Sequence, residues 1–171
     1  MDYVTLHNGV RMPQLGYGVY QVSKEECERC VLDALKVGYR HIDTAQSYFN
    51  EEEVGNAIVK SGVPREELFV TTKVWIEHYG YEETKKSVYE SLQKLQCNYI
   101  DLMLLHQPFG DYYGAWRALE ICMRTASSAR SGFRTFIPTE WLTLRRLPES
   151  GPWSIRWRRI RSISRSKRRS G

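Results

Sequence analysis

Three strand-like runs, at residues 40–44, 68–75 and 99–106, each follow a segment with helical periodicity, and each carries an ionisable side chain at or near its C-terminal end. This alternation is the strongest constraint on the fold. Neighbouring parallel strands need a crossover of a dozen or more residues, and a helix of this length supplies one. The run Y-I-D-L-M-L-L-H at 99–106 is apolar almost throughout, as suits a strand buried on both faces. The run L-F-V-T-T-K-V-W at 68–75 is β-branched and aromatic, again strand composition. Between the runs, residues 23–37 read as a helix closed by Gly38. Residues 51–61 carry Val54, Ala57 and Ile58 on one face and stop at Gly62 before Pro64. Residues 82–95 turn Val88, Leu92 and Leu95 inward, and a fourth helix begins near Asp111. The expected architecture is α/β, with right-handed parallel βαβ units.

Ahead of these units, residues 3–14 read as a β-hairpin with Asn8 and Gly9 supplying positive φ angles for a tight turn. Residues 16–20 follow as a short buried strand. Its G-x-G has no third glycine and no helix directly after it, so it is a poor dinucleotide fingerprint. Cys27 and Cys30 form a C-x-x-C after Ser23-x-x-Glu26, which reads as a capping box, so both cysteines lie inside a helix. That position suits core packing better than redox or zinc chemistry, and no second ligand pair exists for a metal.

The strand ends carry the chemistry. Asp43 with Tyr48, Lys73, and His106 all fall at the C-terminal ends of successive strands, where α/β folds place their sites. Taken singly, each has an ordinary structural reading: Asp43 and Asn50 as turn and cap residues, Lys73 as edge solvation, His106 as a satisfied core histidine. Four such residues at one end of three strands are much harder to obtain from packing alone.

Long stretches carry a resemblance to a known family. These are G-Y-R-H-I-D-T-A-Q-S-Y-F-N-E-E-E-V-G at 38–55, T-T-K-V-W at 71–75 and L-Q-K-L-Q-C-N-Y-I-D-L-M-L-L-H-Q-P at 92–108. Over residues 3–120 the chain resembles the aldo-keto reductases. The resemblance implies a (β/α)8 TIM barrel that binds NADPH at the C-terminal face of its strands without a Rossmann domain, and a catalytic tetrad at Asp43, Tyr48, Lys73 and His106. Reducing a carbonyl takes a hydride at carbon and a proton at oxygen. On this pattern Tyr48 gives the proton, the Lys73 ammonium favours the phenolate, Asp43 holds Lys73, and His106 bonds the carbonyl oxygen. Gly18, Val19, Tyr20 and Asp43 would contact the cofactor; Tyr20, Trp75 and His106 would line the substrate pocket. Val19 stands where relatives often have threonine, so a hydroxyl contact to the cofactor would be absent.

After Glu120 the resemblance is expected to end. Residues 1–120 hold 12 Lys and Arg against 18 Asp and Glu, and residues 121–171 hold 13 against 2, giving −6 and +11. The second segment is rich in arginine and serine, and it looks like a shifted reading frame. Restoring one G after the Glu120 codon lets codons permitted for residues 121–136 read D-L-Y-A-D-G-K-L-R-A-I-G-V-S-N-F, a family-like strand. The expected organisation is therefore residues 1–120 as the N-terminal half of a barrel, a hairpin plus about four βα units. An unrelated, out-of-frame basic tail, 121–171, is expected to be disordered. A barrel of this type takes about 250 residues, so the fourth strand is expected to keep an open edge available for self-association. The expected function is NADPH-dependent reduction of small aldehydes and ketones, impaired in this chain. The alternative is a non-enzymatic remnant whose basic tail binds nucleic acid or acidic surfaces without specificity. No apolar run reaches the roughly 18 residues of a membrane span and no signal peptide is evident, so the expected location is cytoplasmic, with no membrane partner and no specific nucleic-acid partner.

Overall fold

The computed structural model describes residues 1–6, 8–129, 132–133 and 136–137. Strands β1 (Tyr3–Thr5) and β2 (Arg11–Pro13) form the antiparallel hairpin, with Val4 opposite Met12. Its turn differs from the expected two-residue loop. Gly9 N–H bonds Leu6 C=O at 2.9 Å and Leu6 N–H bonds Val10 C=O at 2.8 Å, so three residues span the loop. Gly9, at φ 83°, takes the left-handed position that closes a three-residue hairpin.

A parallel sheet follows in the order β3 (Tyr17–Gly18), β4 (His41–Asp43), β5 (Phe69–Val74), β7 (Leu102–Leu105), β9 (Phe136–Ile137). The crossovers are α1 (Lys24–Lys36), α2 (Glu51–Lys60), α3 (Tyr81–Lys94) and α4 (Tyr112–Ala129). Each packs one apolar stripe onto the sheet: Cys27, Val31, Ala34 and Leu35 from α1, Val54, Ala57 and Ile58 from α2, Val88 and Leu92 from α3. These meet Ile42, Val70, Val74 and Met103 from the strands in one core. Helix α1 ends with Gly38 N–H on Leu35 C=O and Tyr39 N–H on Ala34 C=O, the paired bonds of a Schellman motif. At its start Ser23 makes no side-chain cap bond, so the expected capping box is not formed; Ser23 C=O accepts from Cys27 N–H at 2.9 Å instead.

The run at 99–106 is two strands, β6 (Tyr99–Ile100) and β7, broken at Asp101. The reason is a buried carboxylate: Asp101, 1% exposed, accepts Val70 N–H at 3.0 Å and the Arg65 guanidinium at 2.8 Å. Arg65 also bonds the carbonyls of Leu68 and Tyr99, tying the loop before β5 to the start of β6.

Helix α4 runs on through Glu120 to Ala129, and the open edge expected on the fourth strand is corrected. Met103 pairs with Phe136 and Leu104 with Ile137 in parallel, while β8 (Gly132–Phe133) pairs with β6. Parallel strands after a helix satisfy the backbone donors and acceptors that an exposed edge would leave bare. The expected disorder of the remaining tail, 138–171, lies outside the described residues. Among the described residues no helix is long and apolar enough to cross a membrane, and no group of three or more His, Cys, Asp or Glu could hold a metal ion.

Candidate active site

The parallel register decides where the polar strand ends meet. Gly18 lies opposite Asp43, Asp43 opposite Thr71, and Lys73 opposite Leu104, so the C-terminal ends of β3, β4, β5 and β7 share one rim. Asp43 closes β4, Lys73 is the penultimate residue of β5, and His106 directly follows β7. Tyr48 reaches the same rim from a 3₁₀ turn at Gln46–Tyr48.

There the Lys73 Nζ donates to Asp43 Oδ1 at 2.6 Å, to the Thr44 carbonyl at 2.9 Å and to the Tyr48 hydroxyl at 3.4 Å. The ammonium thus spans the carboxylate and the phenol. A positive charge held against a phenol oxygen stabilises that oxygen whenever it carries negative charge, which is what a phenolic proton donor needs. His106 sets its ring at the edges of Tyr48 and Trp75, with centroids 5.8 and 5.2 Å away. Burial lowers the His106 pKa below the usual value of 6.5. The Lys73 charge pushes the same way and Asp43 opposes. The imidazole is therefore neutral at pH 7, a hydrogen-bonding group and not a second cation.

Of the residues expected at the cofactor and substrate, three join Asp43 and His106 at this rim. Tyr20 is 65% exposed with its ring 5.1 Å from that of Tyr48, Trp75 touches His106, and Gly18 has open space where a side chain would stand. Val19 is not: it is 0% exposed and packs into the core, because its N–H is bound to the Asp43 carbonyl and its side chain turns inward. A solute at the rim has no atom of Val19 to touch.

The segment after Asp43 holds residues whose work sequence reasoning did not foresee. Asn50, expected as a cap or turn residue, makes no cap bond and is fully buried. Its amide donates to the carbonyls of Val19 and Val22 and accepts the Thr44 hydroxyl, fastening the loop that carries Tyr20. Gln46 accepts Trp75 N–H at 2.8 Å and donates to Ser87 and Ser91 of α3. Glu51 accepts the Thr72 hydroxyl at 2.6 Å, and burial raises its pKa. The Ser47 Oγ lies 3.1 Å from His106 Nδ1. Six polar residues among the eight from Thr44 to Glu51 were the available signal; which partner each takes depends on strands distant in sequence. Burial meanwhile pushes the Cys27 thiol up to about 12, so it stays a thiol inside α1.

The sequence of this region matches the model of the aldo/keto reductase family over residues 9–134. The chain belongs to that family. It is 54% identical over 121 residues to a glyoxal reductase of Bacillus subtilis, covering 70% of this chain and 44% of the relative. It is 46% identical over 119 residues to a methylglyoxal reductase of Escherichia coli, covering 68% and 42%. Among solved structures it is similar to an aldo/keto reductase from Brucella melitensis, with TM-score 0.73, 43% identity and coverage of 80% of this chain and 52% of that one. It is also similar to a Bombyx mori aldo-keto reductase in complex with NADP, with TM-score 0.71, 33% identity and coverage of 80% and 50%. The chain spans about half the length of the aldo/keto reductases it matches.

Proposed function

We propose that this chain carries the proton-donating half of an NADPH-dependent carbonyl reductase, one that converts small aldehydes and ketones to alcohols. The observation that carries the reading is the Lys73 ammonium bonded at once to Asp43 and Tyr48 on the rim of a parallel sheet. Tyr48 delivers the proton to the carbonyl oxygen. Lys73 then stabilises the phenolate left behind, Asp43 holds Lys73 in place, and neutral His106 bonds the carbonyl oxygen before transfer.

The residues present fit a reduced nicotinamide. Gly18 leaves open space at the rim and the exposed Tyr20 ring lies beside Tyr48, so a planar ring has a surface to lie against. The donor set of phenol, ammonium and neutral imidazole offers a proton and no hydride. The cofactor, when bound, supplies the hydride. Gly18, Tyr20 and Asp43 would hold it and Trp75, Tyr20 and His106 would line the carbonyl site. The names of the glyoxal and methylglyoxal reductases point to short 1,2-dicarbonyl compounds as the substrate class.

On this reading the chain is a partial (β/α)8 barrel whose basic C-terminal segment is out of frame after Glu120. Sequencing the gene across that codon tests the frame. Restoring it and following NADPH absorbance with glyoxal tests the activity; a frame-restored protein that leaves NADPH unoxidised would overturn the functional reading.

A further inference from the structure

Ser47 is one of the few side chains at the rim outside the four proposed catalytic groups, and its Oγ has one partner among the described residues, Nδ1 of His106 at 3.1 Å. A serine hydroxyl both donates and accepts, so this contact is compatible with either tautomer of the ring. The two differ in consequence. With Nδ1–H donating to Ser47, Nε2 is a bare acceptor and repels a carbonyl oxygen. With Ser47 O–H donating to Nδ1, the ring proton sits on Nε2, at the edge left free, and donates to that oxygen.

We propose that Ser47 is a positioning residue that donates its hydroxyl proton to His106 Nδ1 and so fixes the imidazole as the Nε2–H tautomer that a carbonyl oxygen requires. Two observations carry it. Nδ1 of His106 is the one acceptor that the Ser47 hydroxyl meets among the described residues. The Tyr48 and Trp75 rings meet the imidazole in T-shaped contacts, with centroids 5.8 and 5.2 Å away, and hold its plane while leaving the Nε2 edge open. The groups facing His106 are the Lys73 ammonium, the Asp43 carboxylate and the Tyr48 phenol, and of these only Ser47's neighbour Tyr48 shares its turn. The consequence for catalysis rests on the carbonyl-reductase reading; the tautomer itself does not.

The test is nitrogen-15 NMR of the full 171-residue chain with labelled histidine, without cofactor or substrate. Two-bond couplings to the ring carbon protons report which nitrogen carries hydrogen. The chain has four histidines, and His106→Gln identifies the relevant set by its disappearance. The expected spectrum at pH 8 is Nε2–H for His106 in the wild type and in Ser47→Thr, and a mixture of tautomers in Ser47→Ala. An Nδ1–H signal in the wild type overturns the proposal without any variant, so a Ser47→Ala chain that fails to fold leaves it decidable. A folded Ser47→Ala chain with the wild-type tautomer overturns it equally. Carbonyl reduction failing in the frame-restored protein would remove the proposed function while leaving the tautomer result intact.

Discussion

Lys73 Nζ lies 2.6 Å from Asp43 Oδ1, a contact between residues 30 positions apart that exists because β4 and β5 run parallel and adjacent. The same ammonium reaches Tyr48 OH at 3.4 Å, so removing either end of this chain of contacts should act on proton delivery. In the frame-restored protein, Tyr48→Phe is expected to lower kcat for an aldehyde by about 10² to 10⁴-fold, the range for a lost general acid. Steady-state NADPH oxidation measures it; a Tyr48→Phe protein within a few-fold of the parent would remove Tyr48 from the mechanism. The 171-residue chain itself is expected to turn over far more slowly than the frame-restored protein, since positioning of the two reactants is worth about 7 to 11 kcal/mol of barrier.

His41 gives the fold a pH dependence of its own. Burial lowers its pKa below 6.5, against smaller opposing effects of the Pro13 carbonyl and Asp43, and its ring nitrogens lie 3.3 Å from the Pro13 carbonyl and 3.0 Å from Thr71 Oγ1. A histidine held neutral in the fold binds its proton more readily when unfolded, so its contribution is complete above the unfolded pKa and declines as pH falls below about 6.5 towards the depressed folded value. Urea midpoints should drop between pH 7.5 and 5.5. His41→Gln should flatten that slope, and an unchanged slope would assign the acid sensitivity elsewhere.

Gly55 of α2 lies against the backbone at the C-terminal end of α3. A methyl group there would meet the Lys94 carbonyl and stand 2.8 Å from the Leu95 carbonyl carbon, both backbone atoms that cannot swing aside. Gly55→Ala, ordinarily favourable within a helix, is instead expected to destabilise by about 1 to 3 kcal/mol, as overpacking does. Equilibrium urea unfolding decides between the two signs.

Arg65 and Asp101 form an ion pair in which the carboxylate is almost wholly out of water. Arg65→Ala would strand that charge beside the β5 and β6 backbones and is expected to cost about 3 to 5 kcal/mol, the penalty for breaking a buried pair. The double variant Arg65→Met with Asp101→Leu should recover part of the loss. Thermal unfolding of the three proteins would contradict the account if the single change cost no more than the double.

The order of elements, the helices and the identity of the rim residues were legible in the chain because they rest on local periodicity: one apolar stripe for each of α1, α2 and α3, and a polar side chain at or next to the C-terminal end of each of β4, β5 and β7. Local patterning also pointed to Gly9 as a turn residue, but the length of the loop was set by how Leu6 and Val10 pair across it. Other features needed partners distant in sequence. The break at Asp101 follows from Arg65 and from Val70 N–H, the burial of Val19 from Asn50 and Asp43, and the continuation past Glu120 from strand edges on β6 and β7. Ser47 reads as one more hydroxyl in a polar turn until β7 brings His106 to within 3.1 Å of it. Periodicity specifies which face of an element is buried, whereas a hydrogen bond between residues tens of positions apart depends on sheet register, and register is fixed only when the whole core closes.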